Sequence, residues 1–154
     1  MVTAENILEE KGGRMVTVPP GATLHDAILV MLNHNVGSVL VEEDGRMLGI
    51  WSERDLLRHS IQAGFKPAAA RIRDYMVSPV TTVPHSDTIF NLMDKFLGLR
   101  IRHLLVEKEG LPIGLLSMGD VMKATLELKN RELKALNAMV SWDYYEDWRW
   151  KPRP

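Results

Sequence analysis

Apolar and polar positions along the chain fall into two series of the same form. Each opens with a short β-pattern, MVTV at 15–18 and VTTV at 80–83, and ends it at a proline. A helical stretch follows Thr23 in the first series and Thr88 in the second, with Asp26 or Asp87 near its positive end. In the first of these helices Leu24, Ala27, Ile28, Met31 and Leu32 fall on one face. Next come VGSVLVEE and IRHLLVEK, whose inner SVLV and HLLV runs read as strands covered on both faces. An Asp-Gly or Glu-Gly turn leads into MLGIWS or PIGLLS, another strand. A last helix opens at Ser52 or Ser117 and runs on through DLLRHSI or DVMKATL. Each series predicts the order β-α-β-β-α.

The two series are copies. Sliding residues 17–57 by 65 positions lays them without gaps on 82–122, with twelve identities. Among them are Thr17/Thr82, Gly49/Gly114, Ser52/Ser117 and Asp55/Asp120. A match of that length marks a tandem duplication. The fold expected is an α+β body with α/β-type layers and pseudo-two-fold symmetry. Its blocks are a first repeat over 4–61, a linker and lead-in helix over 62–75, a second repeat over 76–125, and an extension over 126–154.

Composition narrows the function. The chain has 154 residues, 45% of them hydrophobic and 25% charged, with a net charge of −1. That balance gives no general attraction to nucleic acid or an anionic membrane. The absence of cysteine excludes disulfides, thiol nucleophiles and cysteine-ligated metals, and it fits a reducing, cytoplasmic setting. No apolar run approaches the roughly 20 residues of a membrane helix, and no signal-peptide pattern opens the chain. The five histidines show no metal-ligand spacing, and no nucleophile-elbow or phosphate-loop sequence is present. No catalytic residue, catalytic cofactor or metal is expected.

The repeated G-h-h-S-x-x-D sequence, GIWSERD and GLLSMGD, admits two readings. Ser followed three residues later by Asp is a variant of the capping box, which closes a helix start structurally. The same corner offers hydroxyls and free amides to a phosphate, a carboxylate to both hydroxyls of a ribose, and an apolar strand end to a purine.

Together with the flanking AENILEEKG and ARIRDYM, these copies resemble the CBS (cystathionine β-synthase) domain pair, or Bateman module, over about residues 4–125. SERD in particular looks like the first-repeat motif of small free-standing prokaryotic members. The resemblance implies a regulatory module that binds an adenine nucleotide between the repeats and passes its state to a partner protein as a shape change. NADH and S-adenosylmethionine are alternative ligands, and a homodimer is implied. It further implies that Asp55 faces Thr82, Arg102 and His103, with Ile50, Ser52 and Arg54 completing a nucleotide site. Asp120 would face Thr17, Gly37 and Ser38, with Ser117, in a second and weaker site. Arg54, Arg102 and His103 favour the Asp55 site for a polyanionic tail. Trp51, where the second copy has Leu116, is read as core or cleft wall, with base stacking as the alternative. A competing reading is a constitutive interaction or dimerisation module without ligand.

Past the second copy one helical pattern runs over 119–140, with Leu126, Leu133, Leu136 and Val140 on a stripe. This stripe is expected to pack on the core or across a homodimer. The tail SWDYYEDWRWKPRP reads as a packing or partner-docking segment, and single-stranded nucleic acid ranks last because acidic residues dilute its charge.

Overall fold

The computed structural model describes residues 1–139; Val140 and the aromatic tail 141–154 lie outside the described residues. Helix α1 (Ala4–Lys11) precedes the first copy, which runs β1 (Thr17–Val18), α2 (Leu24–His34), β2 (Ser38–Glu43), β3 (Arg46–Ser52) and α3 (Glu53–Ser60). The second copy runs β4 (Thr82–Pro84), α4 (Ile89–Leu99), β5 (His103–Lys108), β6 (Leu111–Ser117) and α5 (Met118–Met139). Both copies have the expected order, and the fold is mixed α+β.

Local chemistry places these elements where the pattern puts them. Thr23 caps α2 by accepting the Asp26 N–H at 3.1 Å, while the Asp26 carboxylate accepts the Thr23 N–H at 3.1 Å. Thr88 caps α4 through the Asn91 N–H at 3.3 Å. The hairpin turns hold Asp44 and Gly45 at φ 50° and 78°, and Glu109 and Gly110 at 52° and 77°. Two successive positive φ values give the two-residue turn whose twist matches its strands.

Each copy folds into a three-stranded sheet, β1-β2-β3 or β4-β5-β6, with its first pair parallel and its second antiparallel. Even the irregularities repeat, since the register shifts after Val41 and again after Val106. Val39 and Val41 face the first core with Leu24, Ala27 and Trp51, while Leu104 and Val106 face the second with Ile89, Leu92 and Phe96. The intervening Leu40 and Leu105 point the other way and meet in a third cluster with Val80, Met15, Ile50 and Leu115. That cluster joins the sheets, and Leu40/Leu105, Met15/Val80 and Ile50/Leu115 are each related by the same 65-residue shift. Full burial of each such aliphatic side chain contributes about 1.5–3 kcal/mol.

The segments before each copy cross over. Ala4 and Ile7 of α1 are buried in the second core, and Ala70 and Ile72 in the first. The crossings are hydrogen-bonded: the Ala4 N–H donates to the Asp87 carbonyl at 2.8 Å, and the Ile72 N–H to the Ala22 carbonyl at 2.9 Å. Residues 62–75 contain turns and a single 3-10 turn, Ile72–Asp74, where a lead-in helix is expected from the sequence. There the Ile72 and Arg73 amides bond to Ala22 and Pro20, so they are not used to build a helix.

Two helices turn apolar residues away from the core. Leu32 is 71% exposed although the pattern puts it with the buried face of α2; Leu24, Ala27 and Met31 carry that face, and the matching Leu97 of α4 is also exposed. The stripe of α5 is likewise turned outward, with Leu126, Leu133 and Leu136 all exposed. Val121, Ala124 and Leu128 make the contact with the core instead. At 100° per residue Leu126 lies far round the helix from Leu128, so one helix cannot bury both.

Candidate functional site

Each repeated motif forms a strand–helix corner. At the first, Asp55 Oδ2 accepts the Ser52 N–H at 3.0 Å and its O–H at 2.9 Å, and Ser52 Oγ accepts the Asp55 N–H at 3.4 Å. At the second, Asp120 Oδ2 accepts the Ser117 N–H at 2.7 Å and its O–H at 2.8 Å, and Ser117 Oγ accepts the Asp120 N–H at 3.1 Å. The opposite strand closes each corner as well: the Gly37 carbonyl accepts the Glu53 N–H, and the Arg102 carbonyl accepts the Met118 N–H, both at 3.0 Å. The capping geometry is present in both copies.

Asp120 opens onto a cleft of ≈ 380 Å³ between the repeats, within the range of small-molecule sites. Ser117 and Asp120 form one side of it, Gly37 and Ser38 come from the first repeat, and His103 stands between them. Met15, Val16, Ile113 and Leu115 supply apolar wall. A third contribution comes from the end of α1 and the chain beyond it, Lys11 to Arg14. Gly12, at φ 61°, lets the chain leave the helix and turn along the cleft.

Lys11 reaches into this cleft, its ammonium donating to Asp120 Oδ2 and to the Leu115 carbonyl, both at 2.9 Å. Burial alone would raise the Asp120 carboxyl. The bonds from Lys11 and Ser117 outweigh it and hold the group below the usual carboxylate range. His103 is pushed down from its ordinary value, first by burial and then by the charges of Lys11 and Arg102, against the pull of Asp120 and Asp55. Its Nε2 lies 3.3 Å from Ser38 Oγ. These two residues are 65 positions apart, so the bond joins symmetry mates at the pseudo-two-fold.

A family model for the CBS domain matches residues 13–62 and again 72–127. The chain belongs to the CBS domain family. A mitochondrial CBS domain-containing protein of Arabidopsis thaliana is 31% identical over 151 residues, covering 92% of this chain and 73% of that one. A CBS-domain containing protein of Agrobacterium tumefaciens is 34% identical, with a TM-score of 0.74 over 80% of this chain and 98% of its own. The fold is also that of a Pyrobaculum aerophilum CBS domain protein solved as a complex with AMP, at 24% identity and a TM-score of 0.68 over 77% of this chain and 89% of that one.

Within this CBS pair, Gly37, Ser38, Ser117 and Asp120 share one cleft, and His103 joins them there rather than facing Asp55 alone. Thr17 is half-buried in β1 opposite Leu40; the chain just before it, Met15 and Val16, meets the cleft. On the other side Ile50 is held by Val77 through a pair of hydrogen bonds, 3.0 and 2.8 Å, and Arg54, Thr82 and Arg102 are exposed. Asp55 has Arg58 at 4.0 Å, and among the described residues no hydrogen bond or ion pair joins it to Thr82, Arg102 or His103. Against the smaller charge expected of the Asp120 side, Lys11 at the end of α1 and Arg14 just beyond it both line its cleft. The two crossing segments correspond through their contacts, Ala4 with Ile72 and Leu8 with Met76, and no lysine follows Met76 before the second copy begins.

Trp51 is fully buried. Its ring stacks on His59 at 6.5 Å and 7°, and its Nε1–H donates to His59 Nδ1 at 3.3 Å. Core position, and not base stacking, is its role. Among the described residues no three His, Asp or Glu side chains stand close enough to hold a metal ion. No described helix is long and apolar enough to cross a membrane.

Proposed function

We propose that this CBS pair is a regulatory module that binds an adenine nucleotide of the AMP, ADP or ATP type in the cleft beside Asp120. The observation that carries the reading is the convergence of Asp120, Ser117 and the Gly37–Ser38 strand start with Lys11 and Arg14 around one ≈ 380 Å³ cleft. A carboxylate suits ribose hydroxyls, two cations suit a phosphate tail, and the apolar wall suits a purine. The fold shared with a protein complexed with AMP supports the ligand class. This reading reverses the order of sites expected from the sequence, because Lys11 and Arg14 line the Asp120 cleft. Binding would favour one arrangement of the repeats by the ligand's differential affinity for it, and a partner would read that arrangement.

Thermal unfolding with AMP, ADP, ATP, NADH and S-adenosylmethionine tests the reading. A ligand at about 100 times its dissociation constant adds about 2.7 kcal/mol. The increment is expected with at least one adenine nucleotide, lost in Asp120→Ala and kept in Asp55→Ala. No response from the wild type to any of the five would remove the reading.

A second reading is a constitutive dimerisation module, supported by two observations. Both motifs are complete helix caps without any ligand, and Leu29, Leu32 and Leu97 leave apolar surface on α2 and α4. Light scattering decides whether the module dimerises. A dimer whose mass and melting temperature ignore every nucleotide would favour this second reading over the first.

A further inference from the structure

We infer that Lys11 makes the Asp120 cleft select an anionic adenosine ligand over a neutral or cationic one, an inference that rests on the ligand reading above. The ammonium is delivered by an element built to place it. Ala4 and Ile7 fix α1 in the second core, Leu8 lies across Gly114, and Lys11 sits at the last turn. Its ammonium bridges Asp120 Oδ2 and the Leu115 carbonyl. At the other corner the crossing segment has no lysine after Met76, the residue that answers to Leu8, so the duplicated backbone does not need one here.

A ribose that takes both oxygens of the Asp120 carboxylate with its two hydroxyls must compete with this ammonium for Oδ2. Neutral adenosine would leave Lys11 without its carboxylate and offer no anion in return. A phosphate on the same ligand replaces the lost partner, and Arg14 on the cleft wall adds a second cation. A sulfonium ligand would bring a positive charge toward both. The exchange is feasible because the ion pair is partly open to water, with Lys11 39% and Asp120 23% exposed, and such pairs are individually weak.

Calorimetric titration of the full chain with AMP, adenosine and S-adenosylmethionine tests this. The wild type is expected to bind AMP at least about tenfold tighter than adenosine, the scale of one charge-assisted hydrogen bond, with S-adenosylmethionine weakest. Lys11→Met removes the charge and keeps a long, flexible side chain. It should weaken AMP and strengthen adenosine, so that the two converge, and Lys11→Gln should do the same. Lys11→Arg should keep the preference. Opposite movement of the two affinities distinguishes selection from a general loss of structure. If Asp120→Ala abolishes binding yet the AMP preference survives in both Lys11→Met and Lys11→Gln, the lysine inference alone is overturned. If no ligand binds the wild type, or Asp120→Ala binds AMP as tightly as the wild type, the ligand reading of the cleft falls and takes this inference with it.

Discussion

At the Asp55 corner the chain that crosses Gly49 carries Met76, whereas at the Asp120 corner the chain that crosses Gly114 carries Leu8 and ends in Lys11. The Ser-Asp caps, the strand register and the bulge are otherwise the same at both. Duplication therefore preserves the backbone corner, while the crossing segment decides whether an ammonium reaches its carboxylate. At the Asp120 corner the cation comes from outside that repeat.

The sharpest way to separate the corners is at the residue just before each motif serine. Trp51 and Leu116 occupy matching positions, and both are fully buried. Trp51→Ala is expected to cost about 3–5 kcal/mol, through a large cavity in the first core and a lost donor to His59. Leu116→Ala empties less volume and should cost less, in the range of about 2–5 kcal/mol for aliphatic truncations. Urea unfolding of the two variants measures the difference. A greater loss at Leu116 would mean that the second core, with α1 and α5 on it, governs the stability of the whole.

A smaller effect tests the crossing segments themselves. A Cβ on Gly49 would lie 2.5 Å from Met76 Sδ and 2.9 Å from the Val77 carbonyl oxygen, which belongs to the backbone. The three atoms nearest a Cβ on Gly114 all belong to the Leu8 side chain, the first at 2.6 Å. Overpacking typically costs about 1–3 kcal/mol, and Gly49→Ala should fall toward the top of that range and Gly114→Ala toward the bottom. Equal losses would mean that α1 is as unyielding over Gly114 as the Met76–Val77 chain is over Gly49.

The comparison also shows what a sequence can carry. Element order, caps and turns were legible because each rests on neighbouring residues: Thr23 with Asp26, Ser52 with Asp55, Asp44 with Gly45. The fully buried strands were legible from SVLV and HLLV. The site was legible only in part, since Asp120 and Ser117 are local to one motif but Lys11 arrives from 109 positions away. The resemblance sets His103 opposite Asp55, while at the pseudo-two-fold it touches Ser38 and borders the Asp120 cleft. Leu32 and Leu126 lie off the core of this chain for a different reason. An apolar stripe says that some surface is to be covered, and says nothing of whether this chain covers it.

The axis itself offers the finest break in symmetry, because one mate there is Ser38 and the other His103. Burial, Lys11 and Arg102 push the His103 pKa below its ordinary value of 6.5, against Asp120 and Asp55. In the unfolded chain this histidine takes up its proton near 6.5, before the folded chain does. Between that value and the lower folded one the unfolded state binds more protons, so stability rises with pH across the window. The contribution is complete above 6.5 and is lost as pH falls through the folded pKa. Asp120, also lowered, gives the same sign but in a separate window beginning near 3.8. His103→Gln can keep a partner for Ser38 and cannot titrate. Its stability relative to the wild type should therefore improve as pH is taken below 6.5, and the difference should level off once His103 is protonated in the folded state. Lys11→Met removes one of the charges that disfavour the histidinium and should narrow the same window from its acid side. A wild-type-minus-His103→Gln difference that stays flat from pH 7 to pH 4 would place His103 in water, outside the influence of either corner.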